Sequence, residues 1–395
     1  MSLFDDLTQL PEDPIFGVNH AFAKDPRKGK INLSIGAYRT EELLSYTLPS
    51  VLEAKKQLMR NTSNKEYLPI EGEQGFREEI AKLSLGKYHK EFYTGGSLGG
   101  TGALNLIGQL LKQACVQSLY IPDPSWPNHK GIFCATGLKT YTYPYLASAT
   151  DIDLEGILNT IQSVDGSAAF IFHANCHNPS GCDPTKEAWD KIAQALKDHN
   201  HFVILDMAYH GFGEGLEEDQ KALHIFMKYE LDMAVCYSCS KNFGLYGERV
   251  GALCIRSKSK EILASHIKNK ARTTYSNPAR FGEEIVATIL QDRKLKSAWE
   301  KELSAMRRRI TSMREKFYEA LISFSDKKGL SEETWPDIRK QKGFFGFMGI
   351  TAKEVELLEK DYAIYMPKSG RVNMAGLCNS NIDTVAAAFV EVRSG

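Results

Sequence analysis

Ser238-Cys239-Ser240-Lys241 closes the apolar run 233–235, and Arg249 stands eight residues beyond the lysine. A lysine at the mouth of an apolar strand loses solvation, which favours its neutral amine. A neutral amine condenses with an aldehyde to a Schiff base. Hydroxyls and a guanidinium beside it suit a phosphate. An aldehyde and a phosphate on one small molecule describe pyridoxal 5'-phosphate. The competing reading is a solvated lysine after a strand, and the neighbouring strand ends bear on the choice.

Asp206 ends the apolar run 202–205. A carboxylate there is costly unless it is paired. It either caps the next turn or pairs with a protonated pyridine nitrogen, which keeps the ring an electron sink. Tyr209, and Asn178 at the preceding strand end, are placed to hydrogen-bond the ring oxygen. Trp126, held between Pro124 and Pro127, presents an aromatic face to a flat cofactor or to the core. Gly95-Gly96-Ser97-Leu98-Gly99-Gly100-Thr101-Gly102 leads into the apolar helix 104–111. Glycines there let the backbone approach an anion, a helix N-terminus binds it, and Thr101 adds a hydroxyl. The spacing matches neither the dinucleotide glycine fingerprint nor the Walker pattern. That counts against the rival reading, a nicotinamide-dependent oxidoreductase.

One arginine suits a carboxylate. Arg371 follows a Ser369-Gly370 turn, where a planar fork can clamp a carboxylate. Arg272 lies at a basic helix end with Lys268 and Lys270. Two arrangements look metal-like: Cys236 with Cys239, and His173, Cys176, His177 with Cys182. Zinc ligands come as close pairs on short loops, whereas residues 236 and 239 straddle a strand end where side chains diverge. No metal is assigned.

The elements that position these groups alternate. Short apolar runs at 118–121, 168–172, 202–205 and 234–237 each end in a polar turn, with helical patterns between them such as 184–197. Such alternation predicts an α/β fold with a largely parallel sheet, whose ligands bind at the carboxyl ends of the strands. Trp299, Leu303, Met306, Ile310, Met313, Phe317 and Leu321 recur at helical spacing, which predicts a long amphipathic helix over 296–324 leading into a second domain. Residues 343–349 read as a strand.

Lysine plus arginine number 49, and so do aspartate plus glutamate. This balance leaves no field to draw in nucleic acid or an acidic membrane surface. No apolar run approaches the ~18 residues of a membrane helix, and the acidic start lacks a signal core. The eight scattered cysteines suit reduced thiols. The expectation is a cytoplasmic protein.

The chain resembles the aspartate and aromatic amino-acid aminotransferases, pyridoxal-phosphate enzymes of fold type I. The resemblance runs from Asp13-Pro14-Ile15-Phe16-Gly17 nearly to the end. It rests on Leu98-Gly99-Gly100-Thr101-Gly102-Ala103, Asp123-Pro124-Ser125-Trp126-Pro127-Asn128-His129 and Cys176-His177-Asn178-Pro179-Ser180-Gly181. Further matches are Asp206-Met207-Ala208-Tyr209, Ser240-Lys241-Asn242-Phe243-Gly244-Leu245-Tyr246, Tyr275-Ser276-Asn277-Pro278 and Ser369-Gly370-Arg371-Val372-Asn373.

The resemblance implies a homodimer with shared sites, moving the amino group of L-aspartate or a related dicarboxylic amino acid to 2-oxoglutarate by ping-pong chemistry. An aromatic donor is the alternative. It gives Lys241 the Schiff base and the proton shuttle, Asp206 the ring nitrogen, Tyr209 and Asn178 the ring oxygen, and Trp126 the stacking face. Gly100, Thr101, Ser238 and Arg249 hold the phosphate, joined by Tyr67 from the other subunit. Arg371 takes the α-carboxylate beside Gly36 and Trp126. Arg272 of the partner would meet a side-chain carboxylate, and Phe345 lines the pocket. The implied layout is an arm at 1–12, a large domain at 46–305, and a small domain at 13–45 and 306–395. The loop 40–47 lacks a Gly-Lys turn seen in many members. Residues 67–72 look closer to the aromatic branch and 124–129 closer to the aspartate branch.

Overall fold

The computed structural model describes residues 3–61 and 64–395, so the first two residues of the expected arm lie outside the described residues. Its strands are β1 (Ile31–Asn32), β2 (Phe92–Leu98), β3 (Ser118–Asp123), β4 (Lys139–Pro144), β5 (Ala169–His173), β6 (Phe202–Met207), β7 (Met233–Ser238), β8 (Val250–Arg256), β9 (Phe345–Phe347), β10 (Ile364–Tyr365) and β11 (Arg371–Asn373). Seven of them form one sheet in the order β2-β8-β7-β6-β5-β3-β4. Only β8 runs against the rest. Two small pairs stand apart from it: β1 with β10, parallel, and β11 with β9, antiparallel.

Alternation along the central strands sorts the core. Phe170, Phe172, Val203, Leu205, Met233, Val235 and Tyr237 join one apolar cluster. Ala169, Ile171, Ile204, Ala234, Cys236 and Leu253 join another. Successive side chains leave a strand on opposite faces, so each run feeds both layers. That is why these strands read as unbroken apolar stretches rather than alternating ones.

The helices covering the strands are α1 (Phe16–Lys24), α2 (Pro49–Asn61), α3 (Gln74–Leu85), α4 (Gly99–Gln113), α5 (Asn128–Ala135), α6 (Leu154–Ser163), α7 (Lys186–Asp198), α8 (Lys221–Lys228), α9 (Lys260–Thr274), α10 (Arg280–Gln291), α11 (Arg293–Lys328), α12 (Ala352–Tyr362) and α13 (Ile382–Ser394). The expected long helix is α11, and its seven periodic apolar residues are all buried. It outruns 296–324 at both ends for identifiable reasons. The Asp292 carboxylate accepts the Lys294 and Leu295 amides at 2.7 and 3.0 Å, and Gly329 closes the last turn at φ +72°. Its length is 36 residues, or about 54 Å at 1.5 Å per residue.

Register sets the site. His173 pairs with Asp206 across β5 and β6, and Asp206 with Cys236 across β6 and β7, so these ends form one edge. Because β8 is antiparallel, Val250 starts beside Leu98 at that same edge, which brings Arg249 and the start of α4 there together. Among the described residues no helix is long and apolar enough to cross a membrane. All eight cysteines are free thiols; Cys115 and Cys134 are exposed and the other six buried.

Candidate active site

A cavity of about 550 Å³ opens at this edge, and Lys241 reaches into it from the turn after β7. Its Nζ lies 5.0 Å from the centre of the Tyr209 ring. Burial pushes the amine down to about 8, against a smaller opposing pull from the Asp206 charge. A neutral fraction of the amine, as expected from the apolar strand, is therefore present near neutral pH and grows through pH 8.

Asp206 sits buried on the cavity floor at the end of β6. Burial alone would raise its carboxyl. The His129 hydrogen bond, with the nearby positive groups, outweighs this and holds it below the ordinary carboxylate value. His129 Nε2 lies 3.0 Å from Asp206 Oδ2, and its Nδ1 lies 2.8 Å from Ser125 Oγ. His173, beside them, is pushed down to about 3 by burial and then by His129, so it stays neutral. The donor atoms of His129, His173 and Asp206 lie within 4.8 Å of one another. The His129–Asp206 hydrogen bond gives two of these three groups a role without an ion.

Part of the cavity wall is chemically suited to an anion. Gly100, Thr101, Ser238 and Arg249 line it. α4 begins with no side-chain cap on its free amides. Gly99 turns at φ +67°, and a Cβ there would meet the Arg249 guanidinium at 2.7 Å. A Cβ on Gly100 would come within 3.3 Å of Ser238. The glycines thus leave room for the guanidinium and a hydroxyl to face the helix start. Arg249 Nη1 donates to the Tyr246 carbonyl at 3.0 Å, which orients its fork.

Arg371, at the start of β11, forms the third corner. It is buried, with Nη1 on Asn178 Oδ1 at 3.1 Å and Nη2 on the Ser34 carbonyl at 2.6 Å. Its Nε has no partner among the described residues. Its guanidinium stacks 4.1 Å from the centre of the Phe345 ring. Gly36 is what lets that ring in, since a Cβ there would sit 2.8 Å from its tip. Tyr209 meets the same ring edge-on, and burial raises its hydroxyl well above the usual tyrosine value. Trp126 lines the cavity and stands edge-to-face with His129.

The structure therefore gathers Gly36, Gly100, Thr101, Trp126, Asn178, Asp206, Tyr209, Ser238, Lys241, Arg249, Phe345 and Arg371 around one cavity. It leaves two candidates outside. Tyr67 is 83% exposed. Arg272, on the last turn of α9, donates to Ser276 Oγ at 2.5 Å and Asn277 Oδ1 at 3.3 Å. Neither lines the cavity of its own chain, and both were expected to serve the partner's. Sequence reasoning gave no role to His129 or Tyr246. His129 is 77 residues from Asp206 and nothing local signals the pairing. Tyr246 lines the cavity, and its hydroxyl accepts the Tyr38 amide at 2.9 Å.

Comparison with known proteins agrees with this geometry. The family model described as aminotransferase class I and II matches residues 28–389. An aspartate aminotransferase of Pseudomonas aeruginosa is 38% identical, over 99% of this chain and 100% of its own. The cytoplasmic aspartate aminotransferase of Saccharomyces cerevisiae superposes with a TM-score of 0.93 at 36% identity, covering 99% of this chain and 98% of its own. An aromatic-amino-acid aminotransferase of Burkholderia pseudomallei, covalently bound to pyridoxal phosphate, superposes with a TM-score of 0.93 at 35% identity, covering 99% and 100%. A family match over residues 28–389, with relatives this similar along their whole length, shows that the chain belongs to the aminotransferase class I and II family.

Proposed function

We propose that this chain moves the amino group of L-aspartate, or a related dicarboxylic amino acid, to 2-oxoglutarate, with pyridoxal 5'-phosphate held in the cavity. Aspartate leaves as oxaloacetate and 2-oxoglutarate leaves as glutamate. The observation that carries the reading is one cavity holding a lysine amine depressed to about 8, a buried carboxylate and a buried arginine.

The residues present fit the cofactor. The cradle of Gly100, Thr101, Ser238 and Arg249 fits its phosphate, and Asp206 fits a protonated ring nitrogen. When bound, the cofactor supplies an aldehyde for the amine and a ring that takes up the electron pair of a broken bond. The chain supplies the rest. His129 holds Asp206 ionised so that it can keep a proton at the ring nitrogen. Asn178 and Tyr209 would hydrogen-bond the ring oxygen, and Trp126 would cover the ring face. Lys241 Nζ, as the neutral amine, would take the proton from the substrate α-carbon and pass it to the cofactor. Arg371 receives the α-carboxylate, matching its unpartnered Nε; a buried guanidinium short of acceptors gains most from such a partner.

The second carboxylate would meet Arg272 of the partner subunit, and Tyr67 of the partner subunit would reach the phosphate. The dimer, the division into 46–305 against 13–45 with 306–395, and a cytoplasmic location belong to this reading. Aromatic donors are a second reading, favoured by the apolar wall that Ile15, Ile35, Ala37 and Leu104 give the cavity. A coupled assay for oxaloacetate from aspartate and 2-oxoglutarate tests the proposal. The expected result is turnover that falls about 10³–10⁴-fold in Lys241→Ala. Undiminished turnover in that variant would contradict it.

A further inference from the structure

Arg314 lies in the middle of α11, outside the cavity lining, and is only 3% exposed. Among the described residues it has no ion pair, and its Nε has no hydrogen-bond partner. A buried guanidinium without a carboxylate is expensive to keep. The cost shows in its titration, which burial pushes down to about 10. A methionine or leucine would fill the same space without that cost, so the contacts Arg314 makes deserve an explanation beyond packing.

Those contacts are specific. Arg314 Nη2 donates to the carbonyls of Gly343 and Phe345, the latter at 3.1 Å. They bracket Phe344 and hold the start of β9. The Phe345 ring that leaves this segment is the surface on which the Arg371 guanidinium stacks, 4.1 Å away. Tyr209 and Gly36 close around the same ring. Arg314 thus touches the substrate anchor at one remove.

The same helix also touches the other end of the chemistry. Trp299 Nε1 donates to the carbonyl of Asn242, the residue after Lys241, at 2.8 Å. Its ring stacks on Phe243 at 4.5 Å, nearly parallel. Trp299 and Arg314 are separated by about 22 Å of continuous helix. One rigid rod therefore contacts both the lysine turn and the segment beneath the arginine anchor.

Resting on the aminotransferase reading above, we propose that Arg314 is a positioning residue for substrate recognition: α11 uses it to hold Phe345, and through Phe345 the Arg371 fork, at a fixed distance from Lys241. Arg314→Lys keeps a cation but its ammonium ends one atom short of Nη2, the nitrogen that reaches both carbonyls, and Arg314→Gln keeps donors without the charge. For cofactor-loaded enzyme, both variants are expected to raise KM for aspartate and Kd for succinate about tenfold, with kcat changed less than about threefold. Arg314→Lys made in a Phe345→Leu background is expected to add little further, because both changes act through one contact.

A lowered melting temperature with KM and Kd unchanged would overturn the proposal, since that marks a purely structural residue. So would fully additive effects in the double variant, or failure of both single variants to fold. If the wild type itself neither turns over aspartate nor binds succinate, the dicarboxylate reading is what fails. A wild type that does both, beside variants that match it, sinks only the role of Arg314.

Discussion

The chemistry of single residues was the most legible part of this chain, because charge at the end of an apolar run is conspicuous. Asp206 lies near the end of the apolar β6, Lys241 in the turn after β7 and Arg371 at the start of β11, and each lines the cavity. What the sequence hid were the supporting groups. His129 reaches Asp206, and Arg314 reaches Phe345, only through tertiary packing. Lys241 also carries a cost that can be measured. Its folded-state amine titrates at about 8 because burial disfavours the charge, whereas an unfolded lysine holds its proton to 10.5. Between those values the unfolded chain binds more protons, so this residue's contribution to stability rises with pH. Below 8 the penalty is complete. Lys241→Met is therefore expected to stabilise the cofactor-free protein at neutral pH, with the advantage shrinking from 8 to 10.5. Denaturant unfolding on both sides of that window checks it, and a gap independent of pH would count against the buried, depressed amine.

At the scale of elements, the repeated strand-turn-helix rhythm announced the parallel sheet, and periodic apolar residues announced α11. The antiparallel β8 was not legible, since an apolar run carries no direction. Yet it is this reversal that brings Arg249 beside the start of α4. Nor was the packing of α10 against the β2 side of the sheet. There Glu283 is buried, accepts the Glu73 amide at 2.7 Å, and leaves Oε1 without a partner among the described residues. Burial pushes its carboxyl up to about 8, with Glu73 adding to the rise and the Glu73 amide and Arg77 opposing it. From 4.5 to 8 the folded state keeps a proton that the unfolded state has released, so stability drains away as pH rises through that range. Glu283→Gln keeps the shape and cannot ionise. Its melting temperature should approach that of wild type near pH 4.5 and exceed it increasingly up to 8. Parallel melting curves at all pH values would show that Glu283 ionises freely.

The whole molecule raises the question of the second copy. Tyr67 and Arg272 do not line the cavity of their own chain, so the proposed site is complete only if a partner supplies them. The sequence suggested them by resemblance alone, because no feature of one chain signals a residue meant for another. Hybrids test the sharing. Lys241→Ala and Arg272→Ala homodimers should each be impaired with aspartate, and mixing them should create one intact site per hybrid and restore turnover. No recovery after verified subunit exchange would place Arg272 outside the site. The central claim, a cofactor held through Lys241 and discharged by a dicarboxylic amino acid, has a more direct test in the visible absorbance of the purified protein loaded with pyridoxal phosphate, before and after L-aspartate. The account predicts a yellow protein whose visible band gives way when aspartate is added and returns with 2-oxoglutarate. A protein that stays colourless after reconstitution would contradict it.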